Sequence, residues 1–190
     1  MSRHRKLETE RLVLRPLEES DAERIIEFMG EKDVTQYLLF FGYPINEDQV
    51  RQWLKNVLGA QPEHCAYWAI TLRKTGKLIG VLSLTMDNYH HKTEMGYWSA
   101  KEYWGKGYMT EAAWRAIEYS FDELKLHRVE LTHMVANKGS QRVAEKLGYQ
   151  VEGCWREGHH KDGSYKDVKI YGMLRVDYER AKRKRQIQTN

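Results

Sequence analysis

Two periods of apolar residues alternate along this chain of 190 residues. Arg11-Leu-Val-Leu-Arg-Pro-Leu17 reads as a first strand, stopped near Pro16. Ser20 and Asp21 are N-cap candidates for a helix that runs to Gly30. Residues 31–45 lose all period and carry Tyr37, Phe40, Phe41 and Tyr43. Asn46-Glu-Asp-Gln49 then opens a second helix. Its apolar positions Val50, Trp53, Leu54, Val57 and Leu58 fall on one face, and Gly59 and Pro62 end it.

After that the period shortens. Ala66–Arg73 and Lys77–Met86 read as strands joined by Lys74-Thr-Gly76, and Lys92–Ser99 reads as a third. Helical spacing returns over Thr110–Leu124, with Ala113, Ala116, Ile117, Ser120, Phe121 and Leu124 aligned. Arg128–Val135 is a strand, and Asn137–Leu147 a helix closed by Gly148. Tyr149–Glu157 and Tyr165–Arg175 are strands around the turn Lys161-Asp-Gly-Ser164. The order β α α β β β α β α β β predicts an α+β fold. Its central seven-stranded sheet is mostly antiparallel with one parallel pair, and helices lie on both faces. No repeat or low-complexity linker divides the chain, so a single domain over 1–190 is expected, with its core at about 7–175 and a basic tail over 176–190.

Bulk composition narrows the class. Hydrophobic residues make up 41% and charged residues 31%, as in ordinary globular proteins. No apolar run approaches the roughly 20 residues of a membrane span, and Met1-Ser-Arg-His-Arg-Lys-Leu-Glu8 has no apolar signal core. Cys65 and Cys154 make no disulfide framework, and reduced thiols point to a cytoplasmic protein. No metal-binding set is expected. The formal net charge is +4, of which the tail after Arg175 holds +3. That leaves a near-neutral body, unlike a dedicated nucleic-acid binder.

The richest stretch is Glu94–Phe121, a strand, a glycine-bearing loop and a helix. Gly105 and Gly107 sit where the loop meets the helix start. Exposed N–H groups there, with glycines that let the backbone come close, make an anion cradle. A plain strand-turn-helix connection would use the same residues. A Walker loop is ruled out because its Gly-x-x-x-x-Gly-Lys-Ser/Thr string is absent. A dinucleotide loop fits poorly: Thr110 stands at its third glycine, and the preceding strands read as hairpins.

The whole order resembles the GNAT superfamily of acyl-CoA-dependent N-acyltransferases, whose pyrophosphate loop is Gln/Arg-x-x-Gly-x-Gly/Ala. The aligned string is Trp104-Gly105-Lys106-Gly107-Tyr108-Met109. Gly107 matches, whereas Trp104 and Met109 depart from the pattern. Glu94-Met-Gly-Tyr-Trp-Ser99, Tyr108-Met-Thr-Glu-Ala112, Asn137-Lys-Gly-Ser140, Glu145-Lys-Leu-Gly-Tyr149 and Glu152-Gly-Cys154 before the Asp-Gly hairpin are similar to the ribosomal-protein N-terminal (alanine/serine) acetyltransferase branch. The likeness covers about residues 7–175.

The resemblance implies acetyl-CoA as co-substrate and direct acetyl transfer to an amine. Transfer needs a deprotonated amine, a stabilised oxyanion and a held thiolate. It implies cofactor contacts at Tyr97, Trp98, Ser99, Trp104, Gly105, Lys106, Gly107, Tyr108, Met109, Thr110 and Asn137. Asn137 would hold the pantetheine arm, although a helix N-cap is its plain alternative. Ser140 would sit near the sulfur, and serine is also common in a first helical turn. His159 occupies the position of the branch's carboxylate base, with Glu157 as the second candidate. Histidine suits proton abstraction near neutral pH; an exposed hairpin histidine without a role is the plainer reading.

The Tyr37–Tyr43 stretch would line the acceptor site or simply pack beneath a long loop. The favoured acceptor is a protein N-terminal α-amine, such as that of a ribosomal protein. A small amine (polyamine, antibiotic or amino-acid analogue) and a non-catalytic acyl-CoA-binding or ribosome-associated module remain open. The basic tail is either solvated or an electrostatic contact with ribosomal RNA. A monomer or homodimer, with no membrane association, completes the expectation.

Overall fold

A computed structural model describes residues 5–61 and 63–189. Strands β1 (Leu7–Glu8) and β2 (Leu12–Pro16) lead into helices α1 (Ala22–Met29), α2 (Lys32–Thr35) and α3 (Glu47–Leu58). Strands β3 (Cys65–Leu72), β4 (Leu78–Asp87) and β5 (Lys92–Ser99) follow, then α4 (Tyr108–Glu118), β6 (Arg128–Met134) and α5 (Lys138–Leu147). The hairpin β7 (Gln150–Lys161) and β8 (Ser164–Leu174) and the helix α6 (Arg175–Thr189) close the chain.

All strands lie in one sheet in the order β1-β2-β3-β4-β5-β6-β8-β7. The sheet has eight strands rather than seven, because Leu7 and Glu8 pair with Leu14 and Val13. Two residues are too short for any alternation to register, so this strand was invisible in the apolar pattern. Every pairing is antiparallel except β5 with β6. That pair matches Lys92, Thr93 and Glu94 to Arg128, Val129 and Glu130, and there it ends. Beyond it β5 continues to Ser99 and β6 to Met134 without pairing to each other, leaving a fork in the sheet.

Helices cover both faces. Ala112, Ala113, Ala116 and Ile117 of α4 and Ala144 and Leu147 of α5 are buried with Trp68, Leu82, Met95 and Leu131. On the other face Ile25, Phe28 and Met29 of α1 and Val50, Leu54 and Val57 of α3 pack on Ala69 and Val81. Burying such side chains contributes about 1.5–3 kcal/mol each, so these faces hold the helices in place.

Local chemistry departs from the sequence reading at four points. Asp21 does not cap α1: its carboxylate takes two bonds from Arg15, at 2.6 and 2.8 Å, and one from the Glu18 N–H at 2.9 Å. The irregular 31–45 stretch contains the short helix α2. Helix α4 starts at Tyr108, two residues before the expected Thr110, because Gly107 supplies the left-handed turn into it. Strand β7 runs to Lys161 rather than Glu157, through a register shift between Trp155 and His159. Elsewhere the reading holds: the Asn46 side chain caps α3 by accepting from the Gln49 N–H at 3.3 Å. Pro62, the second expected stop of α3, lies outside the described residues, as do Met1–His4 of the N-terminal stretch.

The basic tail is helical and packed. Tyr178 is fully buried, stacks on Phe121 at 4.9 Å and donates its hydroxyl proton to Asp122. Lys182 reaches Asp122 at 2.9 Å, and the Arg185 guanidinium lies 4.2 Å from the Trp114 ring centre.

Candidate active site

The site forms around the fork. On its β5 side lies the glycine loop, where Gly105 and Gly107 have φ of +74° and +80°. Glycine adopts this region without strain. Gly107 is the N-cap of α4, and the first intrahelical bond runs from the Glu111 N–H to its carbonyl at 3.0 Å. The N–H groups of Tyr108, Met109 and Thr110 therefore have no partner within the helix and present positive partial charge outward. This fits an anionic ligand group such as a pyrophosphate.

The loop is braced from behind. The Arg11 Nη1 donates to the Lys106 carbonyl at 3.1 Å, and its guanidinium lies 4.5 Å from the Tyr108 ring centre. Glu111 accepts from Thr9 Oγ1 at 2.6 Å, from the Arg11 N–H at 2.9 Å and from Arg11 Nε at 2.6 Å. Burial pushes the Glu111 pKa up, but these bonds outweigh it and hold the carboxyl below its ordinary value.

Other predicted loop residues also make contacts within the protein. The Trp104 indole donates to the Ser99 carbonyl at 3.0 Å. That fixes the loop to the end of β5 and occupies a carbonyl expected to face the cofactor. Met109 packs against the main core, and the Lys106 ammonium lies 5.6 Å from the Tyr103 ring centre.

Alternation along β5 sends Tyr97 and Trp98 to opposite faces. Trp98 joins an aromatic cluster with Phe28 at 6.2 Å and Trp53 at 6.5 Å. Tyr97 points to α5, where its hydroxyl lies 2.9 Å from Ser140 Oγ. Burial pushes the Tyr97 pKa up, against a smaller lowering by the Ser140 bond. Asn137 does cap α5: its Oδ1 accepts the Ser140 N–H at 3.0 Å. Ser140 is buried in the first turn of that helix. Behind it the Tyr149 hydroxyl is buried with no hydrogen-bond partner.

The third wall is the β7–β8 hairpin with the segment after α2. Lys161 is only 5% exposed, and its ammonium donates to the Phe41 carbonyl at 2.6 Å and meets Asp162 at 3.1 Å. Tyr37 donates to the Ala136 carbonyl at 3.4 Å, joining the same segment to the end of β6. The aromatic stretch is buried in part only. Phe41 is buried and packs on Trp53 at 5.9 Å, whereas Phe40 is 85% exposed.

His159 is half-buried and shares the β7 face from which Lys161 reaches Phe41. Its Nδ1 is shielded from solvent and has no hydrogen-bond partner. Glu157 is exposed in the bulge at φ of +53°, with its N–H bonded to Asp167 Oδ1 at 2.8 Å. Ser140 and Tyr97 therefore meet at the fork, while His159 and Glu157 lie on the hairpin.

One carboxylate escaped the sequence reading as a site residue. Glu94 stands at the last paired register of the fork, and its Oε1 accepts from Thr132 Oγ1 at 2.7 Å across the parallel pair. It is exposed and lies on the Trp98 face of β5. Among the described residues no cation pairs with it, unlike Glu130, which meets Lys92 at 3.0 Å and Arg128 at 2.8 Å. A lone acid on a strand cannot be told from a solvated one; only the point where the pairing ends singles it out.

A glycine-cradled helix start beside a forked parallel pair defines an acyl-CoA-dependent transferase. Residues 11–150 match the acetyltransferase (GNAT) domain, and the chain belongs to that family. It is an N-acetyltransferase that uses acetyl-CoA. It is 34% identical over 173 residues to YdaF of Bacillus subtilis (strain 168), provisionally named a ribosomal N-acetyltransferase, covering 90% of this chain and 94% of that protein. The structure of a GNAT-family acetyltransferase from Bacillus anthracis is 28% identical, with a TM-score of 0.80 over 90% of this chain and 98% of that one. RimL, a ribosomal L7/L12 α-N-protein acetyltransferase solved with coenzyme A, shares the fold at 21% identity, with a TM-score of 0.81 over 92% and 99% of the two chains.

Among the described residues no helix is long and apolar enough to cross a membrane. No group of three or more His, Cys, Asp or Glu among them could hold a metal ion.

Proposed function

We propose that this N-acetyltransferase acts on the N-terminal α-amine of a protein, with a ribosomal protein as the favoured acceptor. The observation that carries the reading is the wall formed by the β7–β8 hairpin and the 36–45 segment, joined at Lys161 and Phe41. That segment bears exposed Phe40 and Tyr43, apolar surface suited to an extended chain. The name given to YdaF points the same way. An α-amine also needs less help to lose its proton, with a pKa of about 7.7–8.0 against about 10.4 for lysine.

In this reading the His159 imidazole takes the amine proton, with Glu157 next in line. Glu94 is a further carboxylate at the fork. Ser140 donates a hydrogen bond to the departing sulfur, and the loop from Trp104 to Thr110 holds the pyrophosphate. Asn137 reaches the pantetheine arm only with the Oδ1 lone pair or amide left over from its cap. The two free thiols accord with a reducing, cytoplasmic setting. Exposed Arg183 and Lys184 on α6 would face ribosomal RNA.

The test is an acceptor panel at equal concentration, read by thiol release: short peptides with free N-termini, the same peptides with blocked N-termini and a lysine, spermidine and an aminoglycoside. Free α-amines should give the highest kcat/KM. A small amine ahead by more than tenfold would replace the peptide reading with a small-molecule one.

A further inference from the structure

We propose that Tyr97 is a positioning residue for acetyl transfer: its hydroxyl fixes Ser140 so that the serine proton faces the departing sulfur. The inference rests on the role assigned to Ser140 above.

The contact joins two walls that the sheet does not. Tyr97 lies on β5 beyond the last register shared with β6, and Ser140 lies in the first turn of α5. Their oxygens are 2.9 Å apart, and the Ser140 carbonyl stands at the outer limit of 3.5 Å from the same hydroxyl. Each hydroxyl has one proton to give and lone pairs to accept with. The direction of the bond therefore decides what Ser140 can do.

Three observations favour Tyr97 as the donor. First, Tyr97 is half-buried and desolvation pushes its pKa above the ordinary phenol value, so it keeps its proton and can donate. Second, its proton has no better acceptor than Ser140 Oγ. The neighbouring Tyr149 hydroxyl makes no hydrogen bond, and a buried donor left unpaired would cost about 1–3 kcal/mol. Third, the Ser140 N–H is already given to Asn137, which pins the residue to the helix start. With Tyr97 donating, the Ser140 proton has no acceptor among the described residues and is available to a ligand.

During transfer the amine nitrogen bonds the acetyl carbon and gives its surplus proton to the base, and the carbon–sulfur bond breaks with its electron pair on sulfur. Ser140 donates a hydrogen bond to that thiolate, which takes its proton from water after departure. Tyr97 stays protonated throughout. A hydroxyl that accepts one hydrogen bond is polarised into a stronger donor of the next. Tyr97 thus acts through Ser140 rather than on the substrate.

The test is a double-mutant cycle on the full chain with acetyl-CoA and a free-amine acceptor. Tyr97→Phe keeps the ring and removes the hydroxyl. It should lower kcat about tenfold, with the KM for acetyl-CoA within about twofold of the starting enzyme. Ser140→Ala should lose more. In the Ser140→Ala background, Tyr97→Phe should cost nothing further. That comparison also cancels any general loss of folded protein.

The proposal is overturned if Tyr97→Phe leaves kcat unchanged, raises KM alone, or costs the same factor with and without Ser140. An inert Ser140→Ala variant would instead remove the role of Ser140 itself, and the positioning role with it. Additive losses with a damaging Ser140→Ala would leave the Ser140 reading standing and reject Tyr97 alone.

Discussion

Arg11 and Glu111 clasp each other across the root of the glycine loop, with Nε 2.6 Å from the carboxylate. The same guanidinium holds the Lys106 carbonyl, so the clasp fixes the backbone that would meet a pyrophosphate. Arg11→Ala should raise the KM for acetyl-CoA about fivefold and leave the acceptor KM unchanged, the size expected for about 1 kcal/mol lost from a partly exposed pair. Equal changes in both constants, measured by steady-state kinetics, would show a general loss of structure.

The clasp also has a pH signature. The Glu111 pKa is depressed below 4.5 in the folded chain. Its contribution is therefore full above that ordinary value and is lost as pH falls through the lower folded one. Glu111→Gln should lower the melting temperature near neutrality, where the contribution is full, and the gap to the unaltered protein should close as pH falls below about 4.5.

Gly107→Glu should abolish cofactor-induced stabilisation. A side chain there is strained at φ of +80°, and its Cβ would come within 3.4 Å of Arg11. The carboxylate would also oppose the phosphates. For the unaltered protein, acetyl-CoA at 100 times its dissociation constant should add about 2.7 kcal/mol. Thermal melts with and without cofactor decide it; a folded Gly107→Glu protein that keeps the full shift would falsify the cradle.

His159→Ala should lower kcat/KM by about 10²–10⁴-fold at neutral pH. An imidazole base works in its neutral form, so the unaltered enzyme should gain activity as pH rises. Much of the loss in the variant should return at high pH, where the amine sheds its proton unaided. A drop under threefold with the same pH profile would pass the role to a carboxylate. Glu157→Gln and Glu94→Gln then separate the bulge from the fork.

Lys161→Met should act on the acceptor alone. It removes a buried ammonium from the Phe41 carbonyl, a charged hydrogen bond of about 1.5–3 kcal/mol, and so frees the hairpin from the 36–45 segment. The expected result is an acceptor KM raised about tenfold or more, with the KM for acetyl-CoA unchanged. A rise in both, or in neither, would separate Lys161 from the acceptor wall.

What the sequence disclosed depended on the range of each interaction. Gly105, Gly107 and the apolar face of α4 act within a few residues, so the loop and its helix were legible. So were Asn137 and Ser140 at the start of α5, although the cap and the ligand role of Asn137 could not be told apart. The Tyr97–Ser140 bond joins residues 43 apart, and the Lys161–Phe41 bond residues 120 apart. Neither leaves a periodic trace. The bulge that moves Glu157 off the ladder was hidden for another reason: one shifted register changes which face every later side chain takes. The basic tail was placed outside the core because its charges mask Tyr178, the residue that buries it.

The short seam between β5 and β6 gives the molecule a mechanical character. The backbone runs on, but the hydrogen-bonded sheet is two leaves, β1 to β5 and β6 with β8 and β7, stitched by three registers. A ligand lodged in the fork would act as a wedge and a rivet together, keeping the leaves apart while tying their loosest margins to each other. Substrate arrival would then bear on both leaves, because it would tie the leaf that carries the glycine loop to the leaf that carries the hairpin.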